Sequence, residues 1–410
     1  MDKDTYLVLR VTGPEREAFD PFSTSGWRSG KSLESTRSVR EVEYRIDARK
    51  LDAKDYPEVR RDRQVAAMAR PMPLRLIEPV SKQGASAKPK AIHDATWGVL
   101  VTGALQSPYV GHEVSVAVLD TGIDADHEAF RGVKLIQKDF TGEGNGDQNG
   151  HGTHVAGTIF GQTVKGVRYA VAPGVRRALI GKVIGKKRSA TTKELIDAVQ
   201  WAVDQGAHVI NMSLGFDFPG LVRWWVETEG LEPDLATSRA LAQYRDNVRF
   251  FDKLVDLLRA RSAENSSALI VAAAGNESRR DIRPDYAIEV SPPAAADGIV
   301  AVAAVQSAGA PHDALTVAPF SNIRAAVAGP GVGIYSAKKG GGFTYMDGTS
   351  MASPHVAGVA ALWAERQLKR NGLVNLGSLD AQLRAGSRQD RIKSAQYLDV
   401  GEGLATAPLD

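Results

Sequence analysis

RALIGKVIGKKRSATTKELIDAVQWAVDQGAHVINMSLG, residues 177–215, decides the fold. Its two ends, RALIGKVIG (177–185) and AHVINMSLG (207–215), are short apolar runs. TTKELIDAVQWAVDQG between them sets Leu195, Val199, Ala202 and Val203 on one helical stripe. Strands apolar on both faces and joined by a helix belong to a parallel sheet covered by helices. Three further runs read the same way: SVAVLD (115–120), ALIVAAAGN (268–276) and GIVAVAAV (298–305). Open sheets of this kind place their sites beyond the carboxyl ends of the strands. Polar residues and glycines collect there in this chain: Asp120, Ser213 to Gly215, Gly275 and Asn276.

Composition narrows the chemistry. The 410 residues are 43% hydrophobic, a globular content, and the net charge is +3. The first 90 residues hold 19 Lys/Arg against 14 Asp/Glu, so neither part of the chain is a polyanion binder. Without cysteine the chain has no disulfide, thiolate ligand or thiol nucleophile, which fits a reducing compartment. MDKDTYLVLRVTGPEREAFD interrupts its apolar run with charges, unlike a secretory signal, and no eighteen-residue apolar segment would span a bilayer. The expectation is a cytoplasmic protein, or a secreted one whose leader is missing, with neither membrane nor nucleic acid as partner.

Residues 1–80 offer YLVLRV and EVEYRI as strands of a small α+β domain, and residues 81–92, SKQGASAKPKAI, have a linker composition. Residues 93–410 form the main domain. Within it NGHGTHVAGTIFG (149–161) sets His151 and His154 three apart on a helix that starts near His151, a spacing open to a zinc pair or to a single proton carrier. No third zinc ligand is evident. Two other segments stand out, VLDTGID with Asp120 and DGTSMASPHVAGVAAL with Ser350. A serine hydroxyl needs an imidazole to take its proton, and that imidazole needs a carboxylate to fix its tautomer. Ser350 precedes an Ala/Val/Gly-rich helix, whose positive end is suited to a developing oxyanion.

These three segments resemble the signatures of the subtilisin-like serine proteases, in that family's order of Asp, His and Ser, closely over residues 94–365. The resemblance implies a three-layer α/β fold with a central, mostly parallel sheet. It implies a serine endopeptidase acting on protein or peptide through an acyl-enzyme. Asp120, His151 and Ser350 would be the triad, with the Asn276 amide and the Ser350 N–H as oxyanion donors. Ser213, Leu214 and Gly215 would pair with the substrate backbone, Ala273, Ala274 and Gly275 would wall the primary pocket, and Ser291 would lie at its floor, with Glu277 at the rim. A transpeptidase using the same triad and an inactive peptide-binding module stand as alternatives. His154 and His355 are expected to pack.

Departures from the family carry their own expectations. Ala129 stands where secreted subtilisins have a calcium-binding carboxylate, and GQTVKGVRYAVAP lacks hard oxygen side chains, so no cofactor is required and the strong calcium site is expected to be missing. Asp139, Glu143 and Asp147 could make a weaker site. Residues 216–234, with Trp224 and Trp225, are surplus between Gly215 and a helix carrying Leu241, Tyr244, Val248, Phe251, Val255 and Leu258. They are read as a flap or dimer contact, or as an insertion packing on itself. Lys186, Lys187 and Arg188 would favour acidic side chains two to four residues before the cut. The family's inhibitory N-terminal domain has the size of residues 1–80, which fit either that role, with autoprocessing in 81–92, or a permanent accessory domain.

Overall fold

Leu7, Val8 and Leu9 bury the centre of the first strand, β1 (Thr5–Val11), and β2 (Tyr44–Lys50) and β3 (Val65–Ala69) pair antiparallel to its two sides. The helix α1 (Asp55–Arg61) lies between β2 and β3, with acidic residues in its first turn and basic ones in its last, as the helix dipole favours. β4 (Leu74–Leu76) then leaves this sheet to pair elsewhere. The structure, a computed structural model, describes residues 4–11, 43–52, 54–80, 94–186, 190–260, 268–307, 309 and 314–410. The linker expected at 81–92 lies outside them.

The remaining chain begins with α2 (Trp97–Val101), β5 (Ser115–Asp120), β6 (Lys134–Asp139), α3 (His151–Phe160) and β7 (Arg177–Lys182). It continues with α4 (Thr192–Asp204), β8 (Val209–Met212), β9 (Leu214–Phe216), α5 (Phe218–Glu227), α6 (Pro233–Ala260) and β10 (Leu269–Ala273). β11 (Val300–Ser307), β12 (Leu315–Val317), β13 (Val327–Pro330) and the hairpin β14 (Ile334–Ala337) and β15 (Phe343–Met346) precede three helices, α7 (Thr349–Asn371), α8 (Leu376–Ala385) and α9 (Tyr397–Val400). Among the described residues the main sheet has eight strands in the order β12-β11-β10-β8-β5-β7-β6, with β13 beside β11, and only β12 runs antiparallel.

Alternation along β5 creates the layers. Val116 and Val118 face the cluster of α3 and α7, with Val155, Ile159 and Val356, whereas Ala117 and Leu119 face Leu195, Val199, Phe250 and Leu254 of α4 and α6. Every residue of β5 is buried, and so are all four of β8 and all five of β10, as their continuous apolar runs predict. A capping box starts α4: Thr191 caps the helix and its N–H donates to Glu194.

Several elements differ from the sequence reading. β6 was not among the expected strands, since KLIQKD is a polar strand at the sheet margin, and neither was β13, which ends in Pro330. The surplus segment folds as α5 and packs against α6. Trp225 is 2% exposed and makes an edge contact with Trp224 while Arg239 of α6 covers its ring, so this pair packs against α6 and the core beneath it. In α6 Phe251, Val255 and Leu258 of the expected stripe are buried, but the inward face also passes through Ala236, Ala240, Gln243, Asn247, Phe250 and Leu254, while Leu241 is 58% exposed. The apolar stripe had skipped Gln243 and Asn247 because they are polar. Both bond the backbone of the N-terminal part: Asn247 donates to Arg70 O at 2.8 Å and Gln243 to Pro71 O at 2.6 Å. The Pro292–Pro293 bond is cis.

Ala129 is buried in an apolar cluster and its carbonyl accepts the Gln162 N–H, while the Gln162 amide donates to Phe160 O and Pro173 O. Asp139 accepts from Thr141 and Gly144, and Asp147 from Thr121, Thr153 and backbone amides, so both carboxylates are committed to their loops. A chelator is therefore expected to leave the thermal midpoint almost unchanged. A fall of about ten degrees or more in calorimetry, several kcal/mol for a domain of this size, would contradict that expectation.

Candidate active site

β5 ends on Asp120, a carboxylate 1% exposed at the carboxyl edge of the sheet. Burial of that charge is tolerable because it is paired: Thr121 N–H donates to Oδ1 at 2.7 Å, and His151 Nδ1 lies 2.8 and 3.0 Å from the two oxygens. A carboxylate can only accept, so Nδ1 carries the proton and Nε2 keeps the basic lone pair. Burial by itself would push the His151 pKa down, but the Asp120 charge and hydrogen bond, aided by Asp147 and Glu78, leave it raised above the ordinary histidine value.

The first turn of α3 is strapped to the exit of β5. Asp147 Oδ1 accepts from Thr121 Oγ1 at 2.9 Å and from the N–H of Asn149 and Gly150, while Oδ2 accepts from the N–H and Oγ1 of Thr153. Thr121 Oγ1 in turn accepts the Gly152 N–H at 2.9 Å. These bonds join the residue after Asp120 to the residue after His151, and they escaped the sequence reading, which considered Asp147 only as one of three residues open to a weaker cation site. The signal was present: an acidic residue just before a helix start is a natural cap.

His154, one turn on, has different surroundings. Its Nε2 lies 3.0 Å from Ile334 O and 3.3 Å from Thr344 O, so it donates to carbonyls, and burial pushes its pKa down to about 3. His355 donates through Nδ1 to Met351 O, with burial lowering its pKa to about 4. Among the described residues no group of three or more His, Cys, Asp and Glu side chains could hold a metal ion.

Ser350 is the second residue of α7, among the first-turn N–H groups that lack intrahelical partners. Its turn is tied to the sheet through Ser353 Oγ to Asn211 Oδ1 at 2.6 Å and Ser213 Oγ to Ser350 O at 3.2 Å. Asn276 enters from the loop after β10. Its Oδ1 accepts from Thr349 N and Oγ1, both at 2.9 Å, which turns Nδ2 towards the cleft. Gly275, at φ 114°, supplies the bend, and a Cβ there would fall 2.3 Å from Asn322 Nδ2. Asn322, missed in the sequence, braces the loop by accepting from Glu277 N, Ser278 N and Ser278 Oγ and donating to Ala274 O.

The cleft is filled by the chain's own N-terminal part. β4 pairs antiparallel with β9, Arg75 opposite Gly215 and Leu76 opposite Leu214. On its other side Leu74 N–H donates to Ala190 O at 2.8 Å, and further along Val80 N–H donates to Asp347 O at 2.8 Å. Ile77 lies over Gly215, whose Cβ position is 3.7 Å from Ile77 Cδ1 and 3.0 Å from Ser291 Oγ. Ser350 Oγ donates to Ile77 O at 2.9 Å, and Asn276 Nδ2 to Glu78 O at 3.0 Å. His151 Nε2 has no hydrogen-bond partner among the described residues. Ser213, Leu214, Gly215, Gly275 and Ser291 thus all lie at this peptide or its immediate supports, and Ala273 and Ala274 form the buried approach to Gly275. Lys186 N–H bonds Glu143, while Lys187 and Arg188 lie outside the described residues.

A family model described as the subtilase family matches residues 111–375. The chain belongs to the subtilase family. It is 35% identical to subtilisin DY of Bacillus licheniformis over 62% of this chain and 77% of that one. A thermostable alkaline protease of Halalkalibacterium halodurans is 33% identical over 66% of this chain and 63% of its own. The major intracellular serine protease of Bacillus subtilis is 32% identical over 62% and 68%. This subtilase is accordingly a serine-type peptidase with protein or peptide as substrate. Among its described residues no helix is long and apolar enough to cross a membrane.

The protonation states provide a test. In histidine-detected NMR, His151 should titrate above 6.5, while His154 and His355 should stay neutral at pH 5. Since the basic form is lost as pH falls through a raised pKa, the acid limb of activity should also lie above 6.5. Asp120→Asn should move the His151 midpoint down; an unchanged midpoint would remove Asp120 as the cause.

Proposed function

We propose that the chain is a serine endopeptidase in which His151 Nε2 takes the Ser350 Oγ proton as Oγ attacks a peptide carbonyl. The single observation that carries this reading is the peptide lying in the cleft with its carbonyls at Ser350 Oγ and Asn276 Nδ2. Asp120 holds the imidazole and stabilises its charged form. The Asn276 amide and Ser350 N–H receive the oxyanion, His151 protonates the leaving amine, and water then releases the acyl group. A flap that would favour a peptide amine over water has no support from Trp224 and Trp225, which lie together on α5 and pack against α6. Two relatives named as intracellular serine proteases, from Bacillus subtilis and Paenibacillus polymyxa, favour the cell interior as its compartment.

In the same reading, residues 1–80 form an inhibitory domain. Ser350 and Asn276 grip the carbonyls of successive residues, Ile77 and Glu78, where attack needs one carbonyl shared by both. The serine proton is also directed to Ile77 O instead of His151. Such a peptide occupies the cleft without presenting a bond for cleavage, so the cut that releases it belongs in 81–92.

A fluorophosphonate should label Ser350 in the full chain slowly, as read by intact mass, and Ile77→Asp should accelerate labelling at least tenfold. His151→Ala should abolish labelling. Ser350→Ala should lower peptide turnover by about a millionfold, the scale set by subtilisin itself. Labelling that ignores Ser350→Ala, or activity that requires added zinc, would overturn the assignment.

A further inference from the structure

The residue after the oxyanion amide carries a charge whose position is set from the protein side. Glu277 Oε2 accepts from Asn322 Nδ2 at 2.7 Å, and Glu277 N–H donates to Asn322 Oδ1 at 3.1 Å. Asn322 is itself buried and also reaches Ala274 O and Glu289 O, so its amide does not depend on the cleft's occupant for its orientation. The second oxygen, Oε1, faces the bound segment and accepts from Arg75 Nη2. Among the described residues Arg75 is the ion-pair partner found for Glu277; nearby Arg280 is engaged with Asp399 and Arg324 with Glu289.

Register converts this contact into a rule. Ile77 lies over Gly215 with its carbonyl at Ser350, and Arg75, two residues earlier on the same extended segment, projects to the same side of the strand. Both side chains belong to one peptide paired with β9, and any peptide that replaces the segment on that edge repeats the spacing. We propose that Glu277 makes the cleft select peptides carrying arginine or lysine two residues before the residue seated over Gly215. This deepens the protease reading and, for its kinetic consequence, rests on it. It also predicts the opposite charge preference from the one expected of Lys186 to Arg188. Arg75 and Glu277 are 37% and 33% exposed, so solvent screens the pair and the preference should weaken with salt.

Two measurements decide it. With the full chain, peptides containing X-Leu-Ile should be cleaved in the order X = Arg, then Gln, then Glu, kcat/KM falling about five- to tenfold from first to last at low salt. Glu277→Arg should invert that order, and an order unchanged by Glu277→Arg would overturn the proposal. The second measurement needs no catalysis. In the Ser350→Ala chain, hydrogen exchange of the amides of residues 74–76 reports how tightly the segment is held. Arg75→Glu should speed that exchange, and adding Glu277→Arg should slow it again. No slowing in the double variant would sink the proposal even if peptides were cleaved. Conversely, if Ser350 takes no fluorophosphonate and no peptide is hydrolysed, the protease reading fails while the exchange result still decides what Glu277 recognises.

Discussion

A carboxylate at the end of a fully buried strand must be paired, and much of the active-site architecture follows from how Asp120 meets that demand. Removing one partner from a buried charged pair typically costs about 3–5 kcal/mol, so the imidazole of His151 is held in place by the same interaction that makes the charge tolerable. The Asp120–His151 contact needs the first turn of α3 close to the exit of β5. Thr121 and Asp147 enforce that distance with short hydrogen bonds. The opposite wall, α7, is set by Asn211 of β8, the strand beside β5 in the sheet, and by Ser213 just past its end. Ser350, His151 and Asp120 therefore inherit their spacing from adjacent strands of one rigid sheet.

What was legible in the sequence divides along the same line. Strands apolar on both faces, such as SVAVLD and ALIVAAAGN, announce themselves because burial on both sides leaves no room for alternation. Their polar ends pointed to Asp120 and Asn276, and the family resemblance supplied the order of the triad segments. β6 was hidden by its polar composition, and in α6 the expected stripe holds at Phe251, Val255 and Leu258 but misses the inward turns at Gln243 and Asn247, whose side chains are polar. Their partners, the carbonyls of Arg70 and Pro71, lie more than 170 residues away in sequence. A side chain that is buried for the sake of a distant backbone group leaves no periodic trace. Asn322 escaped for the same reason: its value lies in bracing a loop that sequence alone does not bring to it.

The N-terminal part is held in two different ways. Along α6 and β9 the grip is on main-chain atoms, through Asn247, Gln243 and the β4–β9 ladder, and is indifferent to side chains. At Ile77 and Arg75 it depends on side-chain identity. The first kind of contact gives affinity and the second gives register, the division of labour general to peptides added to a sheet edge.

Because the strand in the cleft is part of the same polypeptide, the proposed inhibition would act by proximity as well as by affinity. A short tether maintains a local concentration on the order of millimolar, so even modest intrinsic binding keeps the cleft filled against micromolar rivals. One cut in that tether would lower the competitor's concentration to that of the protein itself, roughly a thousandfold for a micromolar solution. A single chemical event in the connecting residues would thereby turn a permanent tenant into an ordinary dissociable ligand, with no change in any contact inside the cleft.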